Sequence, residues 1–301
     1  MDKALLFAYA ETPVHHGGSE SVGVIDLPVQ REAASRLPTI WGQSAKGALR
    51  QHAKDNAKRW PSVTEVFGSE PPGGGGGDGR LTPGWLVIGD FRLAAFPVPT
   101  LDHVFAWATS PLLLARLTRM AKVAGVGGLP PVPQVGVGRV MAAAGQWGET
   151  GRVPVADYDL EIDAGGEGPN AAWAGWLADN ALPVVPDGQG DAFDYFRAEL
   201  RKRLLIVDDD QMKALADECA EVVARVQLSD EKTVNNLWYT EYLPAETLMV
   251  SLLRSTRGEF EVLRPLLDAE LLVAGGDETV GKGLMWLRWL DADSGDGGAH
   301  G

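Results

Sequence analysis

Hydrophobic and polar positions along the chain repeat with two different periods, which predict strands in some segments and helices in others. Short, nearly continuous or alternating apolar runs predict β-strands, and these runs are Ala4–Ala10, Trp85–Ala95, Ala245–Leu253 and Leu284–Leu290. Apolar residues spaced three or four positions apart predict helices, at Ser44–Lys58, Pro111–Val123, Asp191–Leu205, Asp209–Val223 and Glu259–Ala274. Because strands and helices mix without a regular alternation, the pattern predicts an α+β fold.

A β-hairpin is predicted in the last third of the chain. Arg225–Leu228 and Leu237–Tyr239 are short strand-like segments, and they flank the polar stretch Ser229–Asn236. Two such segments joined by a polar connection are typical of a hairpin.

The composition is that of an ordinary soluble globular protein. The chain has 301 residues, of which 45% are hydrophobic and 23% charged, and this length allows one large domain or two modest ones. No apolar run approaches the roughly 18 residues of a membrane span, and the start lacks the layout of a signal peptide. A single cysteine, Cys219, excludes an internal disulfide and a cysteine-cluster zinc site. We therefore expect a cytoplasmic protein with no membrane partner.

The charge is unevenly distributed along the chain. The formal net charge is −14, with 27 basic and 41 acidic side chains, which argues at first against binding to phosphates. However, residues 156–221 alone hold 16 acids and 5 bases, whereas residues 31–60 hold 7 bases and 2 acids. The basic segment is either a solvated helix face or an anion-binding strip, so nucleic acid is not excluded.

Glycine marks three regions of the chain. The tract at 71–80 predicts a flexible loop, and residues 291–301 predict a disordered acidic tail. Residues 276–283 resemble a P-loop up to the last position, where Gly283 replaces the Ser or Thr that contacts Mg²⁺. Because a helix is predicted before this loop and a strand after it, we exclude an NTPase. Such a loop can still bind phosphates through its amides or pack against another subunit.

Two short polar segments near the start contain candidate chemistry. His15 and His16 are adjacent, and Asp26 follows in the segment Asp-Leu-Pro-Val-Gln-Arg. Isolated His and Asp residues are more often capping or solvated side chains than ligands, and this set alone is too small to predict a metal site.

Several segments, taken in order, resemble one family. They are Tyr9–Ser19, Gly23–Arg31, Ile40–Arg50, Phe96–Val98, Phe105–Pro111, Arg203–Val207, Leu237–Thr247 and Gly275–Leu284. Together they are similar to the backbone subunit of type III-B (Cmr) CRISPR effector complexes, which belongs to the RAMP group of RNA-binding proteins. The resemblance covers the chain nearly end to end. It implies a single domain over residues 1–301, with a ferredoxin-like (RRM-like) palm, insertions and a β-hairpin thumb at about 223–243.

The resemblance also implies a function and partners. Several copies, together with other type III-B subunits, would assemble along a crRNA guide and cut single-stranded target RNA at regular intervals. The cutting would depend on a divalent metal, Mg²⁺ or Mn²⁺, and would leave a 5′-hydroxyl and a 2′,3′-cyclic or 3′ phosphate. Two alternatives are a structural RNA-binding subunit without chemistry and a stand-alone guide-processing ribonuclease with His15 as its acid–base group.

The resemblance assigns roles to individual residues. Asp26 would be the essential catalytic acid and a metal ligand, and His15 its neighbour, with His16 as the alternative histidine. Glu241 and Tyr242 would lie close to them as weaker catalytic candidates. The residues expected to bind RNA are Ser44, Lys46, Arg50, Gly276, Gly281, Lys282 and Gly283. We further expect the acidic block 156–221 to face away from the RNA, apart from the basic run Arg197–Arg203.

Overall fold

A computed structural model describes residues 2–18, 21, 23–69, 81–143, 145–147, 150–228, 234–257 and 260–292. Over these ranges the chain mixes helices with one large sheet, so the predicted α+β class is confirmed. The predicted flexible loop 71–80 lies outside the described residues, as does the predicted tail from residue 293 onward. Asp291, the first residue of that tail, is buried and accepts a hydrogen bond from the Trp289 indole.

The described residues form fourteen strands and seven helices. The strands are β1 (Lys3–Ala10), β2 (Thr39–Ile40), β3 (Leu86–Ile88), β4 (Phe91–Pro99), β5 (Phe105–Thr109), β6 (Arg139–Met141), β7 (Arg152–Val155), β8 (Tyr158–Ile162), β9 (Leu204–Val207), β10 (Glu221–Leu228), β11 (Val234–Tyr242), β12 (Leu248–Ser255), β13 (Leu271–Val273) and β14 (Leu284–Leu290). The helices are α1 (Gly42–Asp55), α2 (Val63–Phe67), α3 (Pro111–Ala124), α4 (Glu167–Asn180), α5 (Asp194–Arg203), α6 (Asp209–Glu218) and α7 (Arg264–Leu267). None of the described helices is long and apolar enough to cross a bilayer.

Twelve of the described strands form one mixed sheet. Its order is β13-β14-β1-β12-β4-β5-β9-β6-β8-β7, with β2 paired to β4 and β3 to β12. Among the described strands, β10 and β11 pair with each other and form a separate antiparallel hairpin, which agrees with the predicted hairpin.

Strand β1 lies at the centre of one half of the sheet. It pairs antiparallel with β12 on one side and β14 on the other. Leu6 and Ala8 join the core on one face of the sheet, whereas Phe7 and Tyr9 join the core on the other. Burial on both faces explains the continuous apolar run in the sequence. The chain leaves the end of β1 toward His15, so this strand anchors the candidate site.

The predicted helix Glu259–Ala274 is wrong. The chain there forms a single 3₁₀ turn at Glu261–Leu263, the four-residue α7, and then β13, which pairs with β14. Ala269 has a φ of 56°, which a helix cannot contain. Sheet pairing has overridden the helical spacing of the apolar residues.

Other predicted boundaries shift for related reasons. The helices predicted over Asp191–Leu205 and Asp209–Val223 end early, because β9 and β10 take their last residues into sheet pairing. The strand predicted over Trp85–Ala95 is two strands, β3 and β4, which both pair antiparallel with β12 and are separated by Gly89 and Asp90. The strand predicted from Ala245 begins at Leu248.

Candidate active site and RNA interface

Asp26 lies in a loop that runs beside β11. The amides of Asp26 and Leu27 both donate to the Tyr239 carbonyl (3.1 and 3.0 Å), and the Glu241 amide donates to the Leu27 carbonyl (2.9 Å). The Asp26 side chain is exposed, and its Oδ2 accepts a hydrogen bond from the Tyr239 amide at 2.8 Å. Among the described residues its Oδ1 has no hydrogen-bond partner. The carboxylate is therefore fixed on one side and open on the other.

His15 is held by the same strand. Its Nδ1 lies 2.7 Å from the Glu241 carbonyl, and because a carbonyl only accepts, Nδ1 carries the proton. The ring meets Tyr242 edge-on, with 5.6 Å between centroids. Tyr239 and Glu241 are two residues apart, so the points that anchor Asp26 and His15 are about 7 Å apart along β11.

The adjacent His16 points into the core. It is buried and lines a small cavity with apolar residues that include Ala8, Ile40 and Met285. Burial, with a smaller contribution from His15, lowers the pKa of His16 to about 4. Its Nε2 has no hydrogen-bond partner within the described part of the chain. His15 thus shares β11 with the Asp26 loop, whereas His16 is a neutral core residue.

Glu241 is buried, and both oxygens of its carboxylate are engaged. Oε2 accepts from the Val29 amide at 2.9 Å, and Oε1 pairs with the Arg31 guanidinium at 2.6 Å. Both partners belong to the segment that follows Asp26. In this structure Glu241 therefore links that segment to the hairpin. Its catalytic role stays a prediction.

Tyr242 connects the hairpin to the glycine-rich loop. Its hydroxyl donates to Asp277 Oδ2 at 2.6 Å and accepts from Arg225, which itself pairs with Asp277 at 2.8 Å. The Lys282 ammonium lies 4.9 Å from the ring centroid. Burial, together with the Asp277 carboxylate, raises the pKa of Tyr242. The phenol therefore stays protonated and acts as a hydrogen-bonded link.

The glycine-rich loop supports the His15 segment. Gly275 has a φ of 98°, and a Cβ there would lie 2.4 Å from the His15 carbonyl oxygen, so this position requires glycine. The three glycines predicted to bind RNA donate their amides within the chain: Gly276 to His15, Gly281 to Glu278 and Gly283 to Pro13. This geometry does not favour a phosphate cradle built from their amides.

The first turn of α1 also differs from the prediction. The helix begins at Gly42, two residues before Ser44, and the Gly42 amide is capped by the Asp90 carboxylate at 2.7 Å. A Cβ at Gly42 would lie 2.6 Å from the Ile88 carbonyl oxygen, so the helix start packs directly on β3. Ser44 lies inside the first turn, and its hydroxyl accepts a hydrogen bond from Gln30.

The two predicted RNA-binding cations of α1 bond to backbone carbonyls. Lys46 Nζ donates to Leu86 at 3.2 Å, and Arg50 donates to Phe67 and Gly68 at 2.7 and 3.0 Å. Burial, and then the neighbouring Arg50, lowers the pKa of Lys46. Contacts of these side chains with RNA stay predictions.

Gln30 links three segments of the site through hydrogen bonds, and the sequence pattern does not predict this role. Its buried amide accepts from the Trp41 amide at 2.6 Å and donates to the Gly17 carbonyl and to Ser44 Oγ, both at 3.2 Å. It thereby joins the His15 segment to the start of α1. The sequence indicates this role only through a single amide side chain between Val29 and the basic Arg31.

The family is decided by a match over most of the chain. A model of the RAMP superfamily matches residues 7–286. This chain belongs to the RAMP superfamily. The match includes Asp26, both histidines, the hairpin and the glycine-rich loop, so all of these are parts of the RAMP unit.

Known RAMP proteins resemble the chain over its full length. The CRISPR system Cmr endoribonuclease Cmr4 of Pyrococcus furiosus is 29% identical over 100% of this chain and 99% of its own. A crystal structure of oligomeric Cmr4 from the same organism matches with a TM-score of 0.73 at 27% identity, covering 97% of this chain and 100% of the other. A chain of the type III-B Cmr-beta complex bound to cognate target RNA shares the fold, with a TM-score of 0.69 at 20% identity, over 96% and 97% of the two chains. The resemblance to type III-B subunits is thereby confirmed.

The described residues of this RAMP chain do not fit a resident metal ion. They include no group of three or more His, Cys, Asp and Glu side chains placed to hold one. Asp26 offers a single open oxygen, and both oxygens of Glu241 are engaged. The expected Mg²⁺ or Mn²⁺ stays a prediction, and no chemical step is derived through it.

Proposed function

We propose that the chain is the backbone subunit of a type III-B CRISPR effector, which assembles in several copies along a crRNA and cuts the target RNA at regular intervals. The observation that carries this proposal is Asp26, an exposed carboxylate held against the hairpin with one oxygen open. A full-length relative is named an endoribonuclease, a matching crystal structure is of an oligomer, and a matching complex holds target RNA. These comparisons support self-association, other Cmr subunits and RNA as partners.

The proposed architecture is a ferredoxin-like palm with insertions and a thumb. Supporting it, the elements β1, α1, β3–β4, β12, α7 and β14 follow the β-α-β-β-α-β order of such folds. Strand β1 lies between β12 and β14, as a central palm strand should. The strands and helices between β4 and β12 are then insertions, and the hairpin β10–β11 is the thumb.

The proposed reaction is attack of a target 2′-hydroxyl on the adjacent phosphate. The 2′ oxygen forms a bond to phosphorus, the bond to the 5′ oxygen breaks, and the products are a 2′,3′-cyclic phosphate and a 5′-hydroxyl. Asp26 accepts the proton of the 2′-hydroxyl as general base. His15, when protonated on both ring nitrogens, donates from Nε2 to the leaving 5′ oxygen. The thumb positions both groups, because both are bonded to β11.

A reconstituted complex tests this function. With a crRNA and an end-labelled matched RNA, we expect fragments at a constant spacing, and the cut positions should move with the guide when its pairing register is shifted. A complex that binds matched RNA but leaves it intact with Mg²⁺ or Mn²⁺ would instead indicate a structural subunit. Metal-independent cutting of a CRISPR-repeat hairpin by the isolated chain would indicate the guide-processing alternative.

A further inference from the structure

A charged cleft opens beside the Asp26 loop. Its volume is about 280 Å³, and its lining residues are Ile25, Pro28, Arg31, Arg36, Lys213, Asp217 and Glu241. We propose that this cleft, here called the arginine cleft, binds a phosphate of the target strand next to the bond that is cut. The inference rests on the proposed function, and it adds a binding site for the substrate backbone.

The ion pairs of the cleft leave one cation without a partner. Arg31 is almost buried and pairs with both carboxylates, Asp217 at 2.7 Å and Glu241 at 2.6 Å. Lys213 is half exposed and shares Asp217 at 2.8 Å. The exposed Arg36 forms no ion pair with any described residue. The cleft thus holds three cations, Arg31, Arg36 and Lys213, and two carboxylates. The excess positive charge lies at Arg36.

Arg36 has a backbone conformation that does not favour a long side chain. Arg36 has a φ of 62°, in the left-handed region where Gly or Asn is more favourable than a long side chain. The turn itself is made by backbone groups: the Arg36 amide donates to the Glu32 carbonyl at 3.0 Å, and the Arg36 carbonyl accepts from Arg31 at 3.1 Å. None of these bonds uses the Arg36 guanidinium. Such a strained position is consistent with a binding role.

The chemistry and position of the cleft fit a phosphodiester of the cut strand. A guanidinium presents planar paired donors that match phosphate oxygens. Ile25 and Pro28 flank Asp26 in sequence and line the cleft, so a phosphate bound there belongs to the strand that passes Asp26. The cleft is at the small end of ligand-site volumes, which suits a phosphate and its ribose. Contacts of this kind fix the register of a strand without reading its bases.

The test compares Arg36 variants in the assembled complex. Binding is measured over a salt series with a matched target that carries 2′-deoxy nucleotides at the cut positions, so that cleavage does not interfere. Arg36→Asn should weaken binding about fivefold or more and reduce the salt dependence by roughly one phosphate contact per copy. It should not lower the melting temperature, since Asn tolerates the left-handed turn. Arg36→Lys should keep most of the affinity.

Two further variants complete the design. Arg254→Asn removes an exposed arginine of β12, which lies opposite Lys3 at the end of β1 away from His15. This variant should bind like the wild type. Lys213→Gln, on a separate element, should weaken binding in the same direction as Arg36→Asn.

The outcomes separate the two proposals. If Arg36→Asn and Lys213→Gln bind with wild-type affinity and salt dependence, the arginine cleft is not a phosphate site. If Arg36→Asn lowers only the melting temperature, Arg36 serves the turn and the inference is overturned. If these variants weaken binding but the wild-type complex never cuts a normal target, the cleft stands and the proposed cutting fails.

Discussion

At the scale of single residues, burial decides the roles of neighbouring ionisable groups. His15 and His16 are adjacent in sequence, yet His15 contacts the hairpin and His16 lies in the core without a partner for Nε2. The family resemblance could name Asp26 and this pair of histidines, whereas these residues alone were too few to predict a site. It could not choose between the histidines, and it could not show that Glu241 is neutralised by Arg31, which lies 210 residues away.

The buried His16 and the half-buried Glu246 make opposite contributions to the pH dependence of stability. The pKa of His16 falls from 6.5 to about 4, so the unfolded chain gains a proton first, and acidification between those values costs up to roughly 3 kcal/mol. Burial raises the pKa of Glu246 from 4.5 to about 7. The folded chain therefore gains that proton first, and acidification through this range is stabilising.

Single variants should separate these contributions. In Glu246→Gln the His16 effect is left unopposed, so the free energy of unfolding should fall more steeply than in the wild type between about pH 8 and about pH 5. In His16→Gln the free energy of unfolding, relative to that of the wild type, should rise as the pH falls from about 8 to about 5. Urea unfolding at several pH values measures both, and three parallel curves would contradict the assigned pKa shifts.

At the scale of elements, the hydrophobic pattern predicts a helix or strand correctly where the strand pairing in the sheet agrees with it. Strands β1 and β14 and helix α3 were predicted because their apolar patterns match their burial, and the hairpin because two strand-like segments flank a polar connection. The helix predicted after Phe260 is wrong because β13 pairs with β14, and this pairing outweighed the helical spacing of the apolar residues. The sequence predicts the start of α1 at Ser44 and not at Gly42, because the Asp90 carboxylate that caps the Gly42 amide lies 48 residues away along the chain.

The link between the hairpin and the glycine-rich loop makes a testable claim about elements. Tyr242→Phe removes the hydroxyl that Asp277 and Arg225 share, and Asp277→Gly removes the carboxylate at a position whose φ of 65° suits glycine. A double-mutant cycle should give a coupling of about 1 kcal/mol or more in unfolding free energy. Strictly additive effects would mean that the contact between Tyr242 and Asp277 does not stabilise the folded chain.

At the scale of the whole molecule, the negative net charge does not exclude RNA, because the charge is segregated. Five of the sixteen acids of residues 156–221 form ion pairs with bases of the same block. The predicted exception, the basic run Arg197–Arg203, is paired there as well, with Asp179, Asp191, Asp194 and Glu199. Two acids of the block do reach the site: Asp217 pairs with Arg31, and Glu221 with Lys282. That the rest faces away from RNA stays a prediction.

Neutralising exposed acids tests the orientation of the acidic block. Asp157→Asn combined with Asp159→Asn removes two exposed carboxylates and should leave target affinity and its salt dependence unchanged in the assembled complex, because screening limits their reach. Asp217→Asn, beside the arginine cleft, should tighten binding. Tighter binding from the first pair would place the acidic block next to the RNA.

The central claim is that the carboxylate of Asp26, held against the hairpin, cuts the target. The most direct measurement is single-turnover cleavage of a matched target by complexes assembled with wild-type chain or with Asp26→Asn, alongside target affinity. The amide can keep the hydrogen bond from the Tyr239 amide, so assembly and affinity should be unchanged. Cleavage should fall by a factor of about 100 or more, as expected for loss of a general base. Cleavage at the wild-type rate by the Asp26→Asn complex would contradict the account.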